Sequence, residues 1–116
     1  MKQREIKFRA WWGGKMHYDI LYITMTGGVV MCEGTPLINP VLMQYIGIKD
    51  KNGVEIYEGD IYEGHGLWPS LVIFDDGVFR GRESSDEGVA YDADWYGGID
   101  VIGNIYEQPN LFSGGN

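Results

Sequence analysis

The sequence predicts a mostly β domain: a small curled antiparallel sheet or SH3-like barrel with an N-terminal β-hairpin and little helix. Three observations carry this expectation. Eighteen glycines are spread along 116 residues and leave few stretches long enough for a helix. Apolar residues fall in short alternating or continuous runs, not at helical spacing. Turn pairs such as Asn52-Gly53 and Asp76-Gly77 separate these runs. A chain of this length is one domain by size and can bury roughly two-thirds of its unfolded surface. Aromatic residues make up 14%, so core material is not lacking.

At the N-terminus, Ile6, Phe8 and Ala10 alternate with Lys7, Arg9 and Trp11, the pattern of a half-buried strand. Trp12-Gly13-Gly14-Lys15 turns the chain. Residues 16–25 are expected to return as a second strand with two usable faces, closing a hairpin over 6–25. Thr26-Gly27-Gly28 is a further turn before a short strand at 29–32. Residues 33–40, with Gly34, Pro36 and Pro40, read as a break. It separates an N-terminal hairpin unit (1–33) from a main sheet (41–108).

The centre is the most legible part. Residues 42–48 form a strand, Lys49-Asp50-Lys51-Asn52-Gly53 a hairpin turn with Asn52-Gly53 at positive φ, and 54–57 the return. A small duplication follows, Ile56-Tyr57-Glu58-Gly59 and Ile61-Tyr62-Glu63-Gly64. Ile56 and Ile61 would face opposite ways in one straight strand. Both are read as core, so Glu58-Gly59-Asp60 must be a turn or bulge. Residues 71–74 and 78–80 flank the turn Asp75-Asp76-Gly77. Residues 81–98 read as a long loop with one short helical turn near 90–95, and 99–106 as the last strand. Residues 109–116 are a tail, its end at 113–116 expected to be disordered.

Charge and composition narrow the function classes. The net charge is −8, and it is unevenly spread: residues 1–53 hold seven Lys/Arg against four Asp/Glu, residues 54–116 two against thirteen. An acidic surface repels phosphate backbones, so general nucleic-acid binding is not expected. The basic start (Lys2, Arg4, Lys7, Arg9) reads as a solvated strand face. No apolar run approaches the roughly 20 residues of a spanning helix, and the amphipathic start is not expected to be a secretory signal. The single cysteine, Cys32, allows no intrachain disulfide and fits a reducing compartment.

Catalytic and metal chemistry have little to stand on. His17 and Asp19 share a strand face, but His65 and Cys32 are far away in sequence, and no cofactor or metal is expected. Asp92-Ala93-Asp94 and Asp75-Asp76-Gly77 lack the remaining spacing of a calcium loop. Ser70, Ser84 and Ser85 have no elbow motif, and Cys32 sits in an apolar run that suits a buried, inert thiol. Gly13-Gly14-Lys15 lacks the other parts of a phosphate loop. Acidic residues are so frequent after residue 54 that a chance carboxylate pair would mean little. Enzymatic activity is not expected.

Four segments together resemble the YopX family of bacteriophage and prophage proteins. They are Ile6-Lys7-Phe8-Arg9-Ala10-Trp11, Met43-Gln44-Tyr45-Ile46-Gly47-Ile48-Lys49-Asp50-Lys51-Asn52-Gly53, Glu55-Ile56-Tyr57-Glu58-Gly59-Asp60-Ile61 and Val101-Ile102-Gly103-Asn104-Ile105-Tyr106-Glu107. The resemblance implies a phage accessory protein made in a bacterial cytoplasm, with a largely β fold. It brings no catalytic residues to carry over.

These readings lead to a non-enzymatic module that binds a host or phage protein or assembles with itself, with no membrane partner. The candidate interaction surface comprises Gln44, Lys49, Asp50 and Asp60 from the central motif and Tyr91, Trp95 and Tyr96 from the acidic loop at 83–98. The alternatives are an acidic decoy that imitates DNA against a host nuclease or DNA-binding protein, and a small-ligand-binding barrel or weak hydrolase with a deep polar pocket.

Overall fold

Strand β1 (Phe8–Trp12) is the first element of a computed structural model that describes residues 5–26, 28–64, 68–84 and 90–112. His65, part of the loop at 83–98 and the expected disorder at 113–116 lie outside the described residues. The chain divides into two compact units, 1–45 and 46–116. The division falls inside one long strand and not in the loop at 33–40. The fold is mostly β, with a strongly curled, half-barrel antiparallel sheet.

In the first unit, Gly13 and Gly14 both adopt left-handed backbone (φ 63° and 75°) and join β1 to β2 (Lys15–His17), with Trp12 opposite Lys15. Two consecutive positive φ values make the tight hairpin turn whose twist matches its strands. The other side of β1 pairs with the front of a strand at Val41–Lys49, Phe8 lying opposite Gln44 and Trp11 opposite Val41.

The expected long strand over 16–25 is broken. The Ile20 N–H donates to the Tyr18 carbonyl (3.0 Å), which bends the chain at Asp19. Strand β3 (Ile20–Ile23) then joins a different sheet by pairing with β4 (Val29–Cys32). Both faces of 16–23 carry large apolar residues (Met16, Tyr18, Ile20 and Tyr22 on one, Leu21 and Ile23 on the other), so alternation alone specified no register. Ile20 and Ile23 pack against a core of Ala10, Val30, Cys32 and Leu37.

The break read at 33–40 is also half a strand. Glu33 and Gly34 (φ 48° and 81°) form a two-residue turn into β5 (Thr35–Ile38), which pairs along β4. Pro36 fits because β5 is an edge strand, where a missing N–H breaks no ladder. Leu37 is the gain, a fully buried side chain.

The second unit starts within β6 (Val41–Lys49). The turn that follows is closed by the Gly53 N–H to the Asp50 carbonyl (3.0 Å) and the Asp50 N–H to the Val54 carbonyl (2.8 Å). Gly53 has φ 82°, whereas Asn52 stays out of the left-handed region. The hairpin is therefore a type I turn followed by a glycine bulge, not the two-residue turn its Asn-Gly pair suggested. Strand β7 (Glu55–Tyr57) returns along β6.

Between β7 and β8 (Asp60–Glu63) the chain turns at Glu58-Gly59, and Ile56 and Ile61 are both fully buried. This is the bend the five-residue spacing required. Asp60 Oδ2 accepts the Tyr57 N–H across it (2.8 Å). Gly59 sits at φ 86°, donates to the Val72 carbonyl and accepts from the Ile105 N–H (both 2.9 Å). Gly59→Ala is expected to cost about 1–2 kcal/mol, the penalty of a side chain in left-handed backbone. A urea denaturation series checks this as a lowered midpoint.

Strands β9 (Ser70–Asp75) and β10 (Val78–Glu83) form the expected hairpin over Asp76 and Gly77 (φ 52° and 82°). β11 (Ala90–Tyr91) pairs with β10 where a helical turn was expected. β12 (Asp100–Asn104) pairs with β8 through a bulge between Val101 and Gly103. The sheet order is β11-β10-β9-β8-β12. Ile46, Ile56, Tyr62, Val72 and Ile99 form its core. The last element among the described residues is one helical turn, α1 (Pro109–Phe112), in the stretch where a tail was expected. Asn104 caps the preceding turn: its Oδ1 accepts the N–H groups of Tyr106 (3.1 Å) and Glu107 (2.8 Å), and its Nδ2 donates to Glu107 Oε1 (2.7 Å).

Candidate interaction groove

The bend at Tyr18-Asp19 has a second consequence. Residues 6–8, leading into β1, and residues 18–23 become the two walls of a groove of about 470 Å³ within the first unit. Only Lys7 and Asp19 among its lining residues are charged. Ile6, Tyr18, Leu21 and Tyr22 are each more than half exposed along it. Ile20 and Ile23 turn inward to the core, and a register shift between Ile20 and Tyr22 lets Leu21 and Tyr22 both point outward. β3 is an edge strand of its sheet. The wall is stiffened from below: the buried Arg9 guanidinium lies 6.0 Å from the Tyr18 ring centre, and the Lys7 ammonium 5.1 Å from that of Tyr45.

None of the surface residues chosen from sequence lines this groove. Gln44 is half-buried in the first unit, opposite Phe8. Lys49 is exposed at the end of β6. Asp50 is buried and engaged: Oδ1 accepts the N–H groups of Asn52 (2.8 Å) and Val54 (2.9 Å), and Oδ2 that of Val101 (2.9 Å). Burial alone would raise its pKa. The three backbone donors and nearby Lys51 outweigh that and hold the carboxyl below the usual aspartate range. Asp60 is buried in its turn.

The aromatic loop divides. Tyr91 and Trp95 converge on Tyr62, whereas Tyr96 is 83% exposed. The Tyr62 and Tyr91 hydroxyls are 2.5 Å apart, and Tyr91 donates on to Ser70 Oγ (3.0 Å), which donates to the Trp68 carbonyl (3.0 Å). The Trp95 ring meets Tyr62 edge-on at 5.5 Å. Burial, then the bond to Tyr91, pushes the Tyr62 phenol far above the ordinary tyrosine range, so it stays a neutral hydrogen-bonding group.

One contact had no sequence signal. His17 Nδ1 lies 4.0 Å from Cys32 Sγ, and His17 Nε2 lies 3.2 Å from the Trp12 carbonyl. A carbonyl only accepts, so Nε2 holds the proton and Nδ1 faces the thiol. The pair links β2 to β4 around a buried cysteine. Among the described residues no group of three or more His, Cys, Asp or Glu could hold a metal, and no helix is long and apolar enough to cross a membrane.

Comparison with known proteins agrees with this architecture. No curated protein matches the chain. Among solved structures, protein EF1440 from Enterococcus faecalis is similar at 25% identity and a TM-score of 0.65, covering 96% of this chain and 100% of its own. Protein yopX from Bacillus subtilis is similar at 26% identity and a TM-score of 0.60, covering 94% and 98%. A family model described as YopX protein matches residues 22–113. The chain belongs to the YopX family.

Proposed function

We propose that this protein is a non-enzymatic binding module, a phage accessory protein acting in a bacterial cytoplasm, that receives an extended segment of a protein partner along β3. The groove beside that strand is the observation that supports this reading. An extended chain can add to a sheet edge through its backbone while its alternate side chains fill apolar pockets. Ile6, Tyr18, Leu21 and Tyr22 offer those pockets, and tyrosine buries a large area with few rotors to freeze. The nearly uncharged lining fits an apolar strand better than a phosphate or a metal.

The test compares wild type with Leu21→Asp/Tyr22→Asp as baits in host-cell extract. A protein retained by the wild type and lost by the variant is expected, because exposed carboxylates in the groove must be desolvated on binding. Equal retention of every captured protein by both baits would overturn the proposal. Both positions are more than half exposed, so the variant should keep its fold by circular dichroism.

A further inference from the structure

The His17–Cys32 contact lies in the first unit but lines no part of the groove, and it has the makings of a chemical site. The imidazole is fixed from one side: Nε2 donates to the Trp12 carbonyl at 3.2 Å, and the Trp12 ring meets it edge-on at 6.2 Å. The indole is itself held, its Nε1 donating to the Ile38 carbonyl at 3.0 Å. With its proton on Nε2, the imidazole turns the Nδ1 lone pair to the Cys32 thiol, 4.0 Å away. A thiol therefore faces a base, and a third group orients the base. Around the thiol, Ala10, Val30, Leu37 and Ile20 are all apolar. Lys15 of β2, Tyr22 of β3, and Asp19 and Glu33 beside the strands are exposed. Arg9 of β1 lies on the face opposite Ala10, near Tyr18. His17 is thus the titratable group that meets Cys32. It is only half-buried, which keeps the pair close to the surface.

We propose that Cys32 is a modification site, a thiol that His17 primes for exchange with a low-molecular-weight disulfide. His17 Nδ1 takes the Sγ proton. The Cys32 sulfur attacks one sulfur of the disulfide, the reagent's S–S bond breaks, and a mixed disulfide forms on Cys32. The departing thiolate takes the proton from Nδ1 and leaves as a free thiol. The disulfide is the oxidant: its leaving sulfur is reduced as Cys32 is oxidised. The Trp12 carbonyl steadies the imidazolium while it exists, because Nε2 remains a donor in that form. The sequence suggested an inert thiol because Val29-Val30-Met31-Cys32 is apolar. The base comes from another strand, β2, fifteen residues earlier.

Dithiodipyridine, an uncharged disulfide, tests this on the full chain, where the single cysteine makes one adduct the complete reaction by mass spectrometry. Folded wild type should react faster at about pH 7 than the same chain unfolded in urea. A slower folded rate would show a buried, inert thiol and overturn the proposal. His17→Gln should react about tenfold or more slowly than wild type at about pH 7. The gap should close toward about pH 10, where hydroxide ionises a thiol without help. A base acts only while the thiol is protonated, whereas a packing defect changes the rate at every pH. A variant as fast as wild type at about pH 7, or a rate ratio that stays constant to about pH 10, would equally overturn the proposal. The comparison of folded with unfolded wild type decides the matter even where His17→Gln fails to fold by circular dichroism.

Discussion

Gly81→Ala is expected to destabilise the second unit by about 3 kcal/mol, although Gly81 lies within strand β10 and is not one of the glycines at positive φ. The reason is space. A Cβ at Gly81 would run into the Tyr62 hydroxyl and would stand 2.7 Å from Tyr91 Cζ and 2.8 Å from its hydroxyl. Neither ring can retreat. Tyr62 is fully buried and held edge-on by Trp95, and Tyr91 is tied to Tyr62 and Ser70. Overpacking costs about 1–3 kcal/mol, and separating the two phenols adds the cost of a buried hydroxyl left unpaired. The check is the urea midpoint followed by tryptophan fluorescence, with Gly81→Ala/Tyr62→Phe as companion. Removing the hydroxyl nearest the new methyl should make the double variant more stable than the sum of the two single changes. Simple additivity would mean that the collision is not the cause.

That glycine was invisible in the sequence, and the contrast with Gly59 shows why. Gly59 was legible because Ile56 and Ile61 stand five apart, and two core residues at odd spacing demand a bend. Asp76-Gly77 and Gly13-Gly14 were legible because their turn chemistry is local. Gly81 matters through residues ten and nineteen positions away, a relation no local pattern encodes. The same distinction governs the candidate site. Tyr91, Trp95 and Tyr96 looked alike in a polar loop, yet pairing of Tyr91 with Gly81 across β10–β11 turns two of them toward Tyr62 and leaves Tyr96 outside. The groove was missed because it is made by the bend at Asp19, and a segment with apolar residues on both faces does not say where it will break. β5 was missed for the opposite reason. Its Pro36 and flanking Gly34 looked like loop chemistry until its edge position made them harmless.

Asp50→Ala should rival Gly81→Ala in effect, and its dependence on pH separates it from a packing defect. One carboxylate accepts three backbone N–H groups, two within its own hairpin and one from Val101 on β12. The Lys51 N–H adds a bond to the Ile99 carbonyl (3.2 Å), and Asn52 Nδ2 one to Asp100 Oδ1 (2.9 Å). Asp50 thus fastens the end of the β6–β7 hairpin to the start of β12. Truncation to alanine strands three donors at a buried position, a loss of about 3 kcal/mol or more at neutral pH. Asp50→Asn keeps one acceptor oxygen and should lose less, because the Val101 N–H would then face an amide nitrogen. The native carboxyl titrates below its ordinary value of 3.8, so the folded state binds this proton less readily than the unfolded chain. The ionised group's contribution is therefore complete above the unfolded pKa and disappears as pH falls through the lowered native one. The stability difference between wild type and Asp50→Asn should be constant from about pH 7 to pH 5 and shrink below about pH 4. A difference that stayed level through that acid range would show that shape, and not the charge on Asp50, holds the hairpin to β12.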